Sequence, residues 1–197
     1  MPYKIAVSGS VGIGKSTLVA ALAERLELPI IEEGFEPLFE KGEALRNNPT
    51  RQAAVFEQLL REKSSLEDDA GFFVADRCAI DLMHNWLRLG LDRHHPDEGA
   101  FIRACRQRYA LYDYIVLPPW NVLPLKQLGD DRGAMRRNTN VMAQLRHHAH
   151  IVGFTHMFVG RRKIIDLPPT LTDVDARVNF VIAVMRRRHQ EISVQSG

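Results

Sequence analysis

The chain has 197 residues, 45% hydrophobic and 25% charged, which is enough for one domain with a full-sized core and is ordinary for a globular protein. A formal net charge of +2 gives no support to a general nucleic-acid role, although basic residues gather at 132–137, 161–163 and 186–188. Two cysteines, Cys78 and Cys105, are too few for a disulfide scaffold or, alone, a zinc site; no apolar run is long enough to span a bilayer, and the N-terminus lacks a signal-peptide pattern, so a cytoplasmic protein without membrane or nucleic-acid partners is expected.

Residues 4–8 are a short apolar run ending in small residues, the pattern of a buried strand. Residues 9–14 are glycine-rich and call for unusual backbone angles. Leu18, Leu22 and Leu26 then repeat at helical spacing over 15–26, and a second short strand at 29–31 runs into Glu32, Glu33 and Gly34. Helical stretches at 37–46 and 50–68 are separated by Asn47-Asn48-Pro49. A third apolar strand, 72–75, ends in Asp76-Arg77. A helix over 79–89 places Leu82, Trp86 and Leu89 towards the core and stops at Gly90; another covers 97–110. Residues 113–117 form a fourth strand closed by Pro118-Pro119. The polar, charge-rich stretch 125–137 reads as a mobile lid, 138–152 as helix, and a fifth strand falls within 155–167. Thr172 or Asp173 caps a last helix reaching about Arg188, with 190–197 frayed. Strands alternating with helices imply a three-layer α/β P-loop fold: a parallel sheet of about five strands, helices on both faces, in a single domain over 1–197.

Gly9-Ser10-Val11-Gly12-Ile13-Gly14-Lys15-Ser16 fits G-x-x-x-x-G-K-[ST], with a strand before it and a helix after it. Such a loop turns backbone N–H groups inward around phosphate oxygens, and the helix N-terminus adds partial positive charge. Lys15 is placed for the β- and γ-phosphates, the Ser16 hydroxyl for Mg²⁺, and Thr17 for the α-phosphate, so ATP with Mg²⁺ is expected between Gly9 and Thr17.

The cradle does not choose the reaction; its acidic and basic partners must. Asp76, at the carboxyl end of an apolar strand, points into the crevice where α/β proteins bind ligands and is a candidate Mg²⁺ ligand. Arg77 follows as a candidate clamp on phosphate or substrate. Glu32 and Glu33 end the second strand, which the usual order sets beside the first, and either suits a base for a substrate hydroxyl; Glu33 is favoured, with Asp76 the other candidate for that proton. Arg132, Arg136 and Arg137 suit a lid that cancels charge in the transition state. His147, His148 and His150, and the His94-His95 pair, match no zinc spacing and read as surface residues.

The runs IAVSGSVGIGKSTL, IIEEGFEPLF, FFVADRCAIDLMHNW and YDYIVLPP resemble the P-loop nucleoside-kinase group, and within it the nicotinamide-riboside-kinase-like ATPases classed among AAA domains. Residues 131–137 are similar to the lid segment of that group. The stretch from Glu32 through Gln58 is similar to deoxynucleoside kinases, which use a glutamate after the second strand as base and a glutamine on the next long helix to read the nucleobase; the resemblance implies the latter role for Gln58. Cys78 stands where such proteins commonly carry serine after Asp-Arg, and no proline directly follows the two glutamates. The reading is an ATP- and Mg²⁺-dependent kinase acting on a hydroxyl of a small metabolite, a nucleoside first. The alternative is a regulatory ATPase or GTPase switch acting on a protein partner. Homo-oligomerisation stays open.

Overall fold

The computed structural model describes residues 3–34, 48–97, 99–120, 122 and 141–195. Five short strands lie in one parallel sheet: β1 (Lys4–Val7), β2 (Ile30–Ile31), β3 (Phe73–Asp76), β4 (Tyr114–Leu117) and β5 (Ile164–Asp166). The described helices are α1 (Lys15–Leu26), α2 (Pro49–Ala70), α3 (Ala79–Arg88), α4 (Ala100–Tyr109), α5 (Val141–Phe158) and α6 (Val174–Gln195).

The strand order is β2-β3-β1-β4-β5, so β2 is not the neighbour of β1. β3 lies between them: Ile5 is in register with Val74, and Ile30 with Val74 on the other side. Burial gives the reason. All four residues of β3 are buried, which requires a neighbour on each edge, whereas two-residue β2, with Ile30 40% exposed, suits the rim.

Alternation along β1 splits the core in two. Ala6 joins Phe56, Phe73, Leu82 and Trp86 beneath α2, α3 and α4; Ile5 and Val7 join Leu18, Leu22, Val178 and Val181 beneath α1 and α6. Both faces of the sheet are thereby covered, and the C-terminal ends of β1, β2 and β3 open on one crevice.

Several boundaries differ from the sequence pattern. Asp97 lies ahead of α4, where its carboxylate accepts from the N–H of Gly99 (3.0 Å). α5 continues through Gly153 to Phe158. The Asp173 carboxylate caps α6 by accepting from Ala176 N–H (2.8 Å), and the helix continues to Gln195, so 190–195 are helical rather than frayed. Leu89 follows the last residue of α3 and is exposed, unlike Leu82 and Trp86. The helix expected at 37–46 and the lid at 125–137 lie outside the described residues.

Trp86 is fully buried, stacked on Phe101 at 4.1 Å between centroids and edge-on to Phe56 at 6.2 Å. It ties α3 to α4 and α2, so Trp86→Ala is expected to cost ~3–5 kcal/mol in urea unfolding. A loss below ~1 kcal/mol would show that this cluster is not a keystone of the core.

Candidate active site

The turn after β1 is shaped by glycines at φ +131° (Gly9), +84° (Gly12) and +83° (Gly14). At Gly9 a side chain is doubly excluded: a Cβ would sit 2.7 Å from Ile13 Cδ1 and 3.3 Å from His148 Nδ1, on a backbone that L-residues rarely adopt. Gly14 caps α1 without any side-chain hydrogen bond, and the first turn of that helix holds no acidic residue. Its first N–H groups are therefore left for an anion. Lys15 is buried and folds back so that Nζ donates to Ser10 O (2.7 Å). Burial, and then the charge of Arg77, pull its pKa down to about 7, against the attraction of Asp76, Asp81 and Glu33. Ile13 is buried within the loop, Val11 is half-buried, and Ser16 and Thr17 are exposed at its mouth.

Asp76 and Ser16 come together across the crevice. Ser16 Oγ donates to Asp76 Oδ2 at 2.6 Å, while Asp76 Oδ1 is buried without a partner among the described residues. A hydroxyl, an orphaned carboxylate oxygen and an adjacent phosphate cradle fit Mg²⁺, which takes few protein ligands and completes its shell with water and phosphate. No group of three or more His, Cys, Asp or Glu among the described residues is arranged to hold a metal.

Arg77 does not stand free for a phosphate. Its Nε donates to Glu33 Oε1 (2.6 Å), and one terminal nitrogen donates to Gly9 O (2.9 Å) and Asp81 Oδ1 (3.0 Å). Burial opposes its charge, but Asp81 and then Glu33 outweigh that and raise its pKa. The residue holds a left-handed backbone, φ +64°. Glu33 thus has one oxygen oriented by Arg77 and Oε2 turned to no protein donor among the described residues.

Two positions that shape the crevice escaped the sequence reading. Asp81 is fully buried; its Oδ2 accepts from Ser8 Oγ (2.7 Å) and from Cys78 N–H (3.0 Å), and Arg77 holds its pKa below the usual carboxylate range despite burial. The signal was present, since an acid three residues into a helix is half of a capping box, but Cys78 at the N-cap obscured it. Lys63 lies on the buried face of α2, where Nζ donates to Glu32 O (2.9 Å) and Asp76 O (3.2 Å), tying the ends of β2 and β3 together. Its spacing from Phe56, Leu59 and Leu60 placed it on the apolar face, and a charge there is the signal. Glu32 itself is exposed and contributes its carbonyl to that strut; Gln58 is exposed on α2, with Nε2 donating to Glu62 (2.7 Å).

The histidines of α5 are not all surface residues. His148 is buried, with Nδ1 3.4 Å from the Ser10 N–H, so α5 rests on the phosphate loop. His147 packs at a tilt against buried His84 of α3, 4.6 Å between ring centroids, and burial lowers both pKa values, to about 3 and about 4. His150 is exposed, and His95 pairs with Glu57 at 2.9 Å. Arg132, Arg136 and Arg137 lie outside the described residues.

A family model described as an AAA domain matches residues 4–163. The chain belongs to that AAA-domain family. None of the curated proteins matches it. Among solved structures, this family member resembles deoxyadenosine kinase from M. mycoides with the products dCMP and a flexible dCDP bound, at 19% identity and a TM-score of 0.66, over 93% of this chain and 99% of that one. It also resembles NadR protein in complex with NAD and AMP-PNP, at 17% identity and a TM-score of 0.62, over 91% of this chain and 48% of the other. At these identities the likeness establishes a shared P-loop kinase-like fold with a parallel five-stranded sheet.

Two expectations follow for the AAA-domain loop. At pH 8 most free Lys15 is deprotonated, while a bound triphosphate favours the ammonium, so binding of Mg·ATP is expected to take up about one proton at pH 8 and close to none at pH 6. Binding enthalpies measured in buffers of different ionisation enthalpy give that number; equal enthalpies at pH 8 would contradict it. Gly9→Ala is expected to strain the loop by ~1–3 kcal/mol and weaken ATP binding roughly tenfold or more, read by equilibrium titration.

Proposed function

We propose that this protein is an ATP- and Mg²⁺-dependent phosphotransferase acting on a hydroxyl of a small metabolite, with a nucleoside as the first acceptor class. The observation that carries the reading is the Ser16–Asp76 contact, with its orphaned carboxylate oxygen, one residue from the Arg77–Glu33 pair. A metal-ready carboxylate and an oriented, half-free carboxylate thus stand at the ends of adjacent strands. The fold shared with deoxyadenosine kinase and NadR supports the same class.

The α1 N-terminus and Lys15 hold the triphosphate, Lys15 leaving Ser10 O for phosphate oxygen. Bound Mg²⁺, held by Ser16 and Asp76, would offset charge on the phosphoryl oxygens. The acceptor hydroxyl attacks the γ-phosphorus as its proton passes to Glu33 Oε2; the bond from γ-phosphorus to the bridging oxygen breaks, and ADP leaves. Arg77 orients Glu33 rather than gripping phosphate, with Asp81 fixing Arg77. Residues 125–137 would close as a lid within a single domain, with Arg132 and Arg136 on the transferred phosphoryl group and Arg137 on the nucleotide. Glu32 and Gln58 are assigned to the acceptor side. A cytoplasmic site of action belongs to the same reading, and the two buried cysteines, both free, support it.

The test is ADP production with a panel of ribo- and deoxynucleosides, nicotinamide riboside included. Stimulation by one acceptor supports the reading, whereas slow hydrolysis indifferent to all of them favours a nucleotide-controlled switch. With an accepted substrate, Glu33→Gln is expected to slow transfer ~10²–10⁴-fold while ATP binding persists. Asp76→Asn is expected to lose Mg²⁺-dependent turnover with partial rescue at high Mg²⁺. Wild-type turnover in Glu33→Gln would remove that residue as the base.

A further inference from the structure

The two basic clusters that the proposed reaction does not use, 161–163 and 186–188, meet in space. They flank a cavity of about 220 Å³ between β5 and the middle of α6. Ile165, Phe180 and Val184, which share the α6 side of the sheet, supply its apolar lining; Ile164 turns its side chain to the other face and contributes backbone. Its rim is cationic. Arg188 is half-buried and spent structurally, one terminal nitrogen donating to Arg162 O (2.7 Å) and Ile164 O (2.9 Å). Among the described residues, neither Arg161 nor Arg187 has a hydrogen-bond or ion-pair partner, and both are exposed at the mouth. The single carboxylate on the rim, Asp166, is engaged by His156 Nε2 (3.1 Å).

The sheet edge supplies one more donor. Leu167 N–H bonds Leu117 O (3.0 Å), so Ile165 and Leu167 direct their backbone towards β4, and Ile164 and Asp166 direct theirs outward. Arg188 occupies the outward carbonyl of Ile164, which leaves too little free edge to take up a partner strand. The Asp166 N–H still points outward beside the two unpaired guanidinium groups.

We propose that this cavity is a second binding site, for a small organic anion that carries a phosphate or carboxylate on an aromatic or aliphatic body. The anionic group sits between Arg161 and Arg187, and the body covers Phe180 and Val184. A cavity of this size holds roughly ten non-hydrogen atoms, too few for a nucleoside triphosphate, so it is not a second ATP site. It is also separate from the phosphate loop: β5 lies two strands from β1, about 10 Å across the sheet, and none of its lining residues belongs to the candidate active site.

Phenyl phosphate carries both features and is the probe; inorganic phosphate and phenol each carry one. The full chain is titrated calorimetrically as wild type, as Lys15→Ala to disable the phosphate loop, and as the double variant Arg161→Ala/Arg187→Ala. Phenyl phosphate is expected to bind wild type and Lys15→Ala alike, and the double variant about tenfold or more weakly, with ATP affinity unchanged in the double variant. In Lys15→Ala, inorganic phosphate and phenol are each expected to bind about tenfold more weakly than phenyl phosphate. Loss of phenyl phosphate binding in Lys15→Ala, indifference to the two arginines, or equal binding of inorganic phosphate would each overturn the proposal.

Discussion

A single buried guanidinium organises the crevice. Arg77 joins the phosphate loop through Gly9 O, the end of β2 through Glu33 and the first turn of α3 through Asp81, and Asp81 in turn reaches Ser8 at the end of β1. Four chain segments therefore depend on one side chain. Such a buried charge is tolerable only because every element around it brings a compensating oxygen; removing one partner of a buried pair typically costs ~3–5 kcal/mol, because the other charge is left stranded. The left-handed backbone of Arg77 belongs to the same constraint. It turns the chain sharply from β3 into α3, and the hydrogen bond from its own N–H to Val7 O (3.0 Å) fixes that turn against β1.

The centre carries no surplus of positive charge. With Lys15 in its ammonium form, Lys15, Lys63 and Arg77 stand among Glu33, Asp76 and Asp81, with Glu67 also beside Lys63. A triphosphate adds roughly four negative charges that this set cannot offset by itself. The proposed scheme therefore draws on Mg²⁺ at Asp76 and on arginines from 125–137. The same setting accounts for Lys15: with no phosphate to meet, its ammonium is buried beside another cation, and the favourable charges nearby do not recover what desolvation takes.

The alternation of strands and helices, the glycine loop and the strand ending in Asp76 were legible because each is a local pattern: period 2, period 3.6, or a fixed motif. The strand order was not. Nothing in β2 itself says which neighbour it takes; the full burial of β3 decides it, and that is a property of the folded sheet. Arg77 was legible as a residue of the crevice but its contacts were not, because its partners come from 4, 44 and 68 residues away in sequence. Lys63 and Asp81 were hidden for the same reason: each bonds groups from other elements, which a one-dimensional pattern does not bring together. His148 read as surface because its helix mixes apolar and polar residues all round and so marks no buried face, and only the seat of α5 on the phosphate loop buries it.

The place of β2 at the rim of the sheet carries a consequence for how such a protein changes over evolutionary time. The phosphate loop and Asp76 belong to β1 and β3 in the middle of the fold, where a shift of either would disturb both cores. Glu32 and Glu33 end a two-residue strand with only one neighbour, tethered inward by Lys63 and Arg77. In the proposed scheme, the acceptor side can thus be rebuilt by altering one margin of the sheet while the donor side stays untouched. An architecture divided in this way lends itself to a lineage that keeps one phosphate donor and exchanges the molecule that receives it.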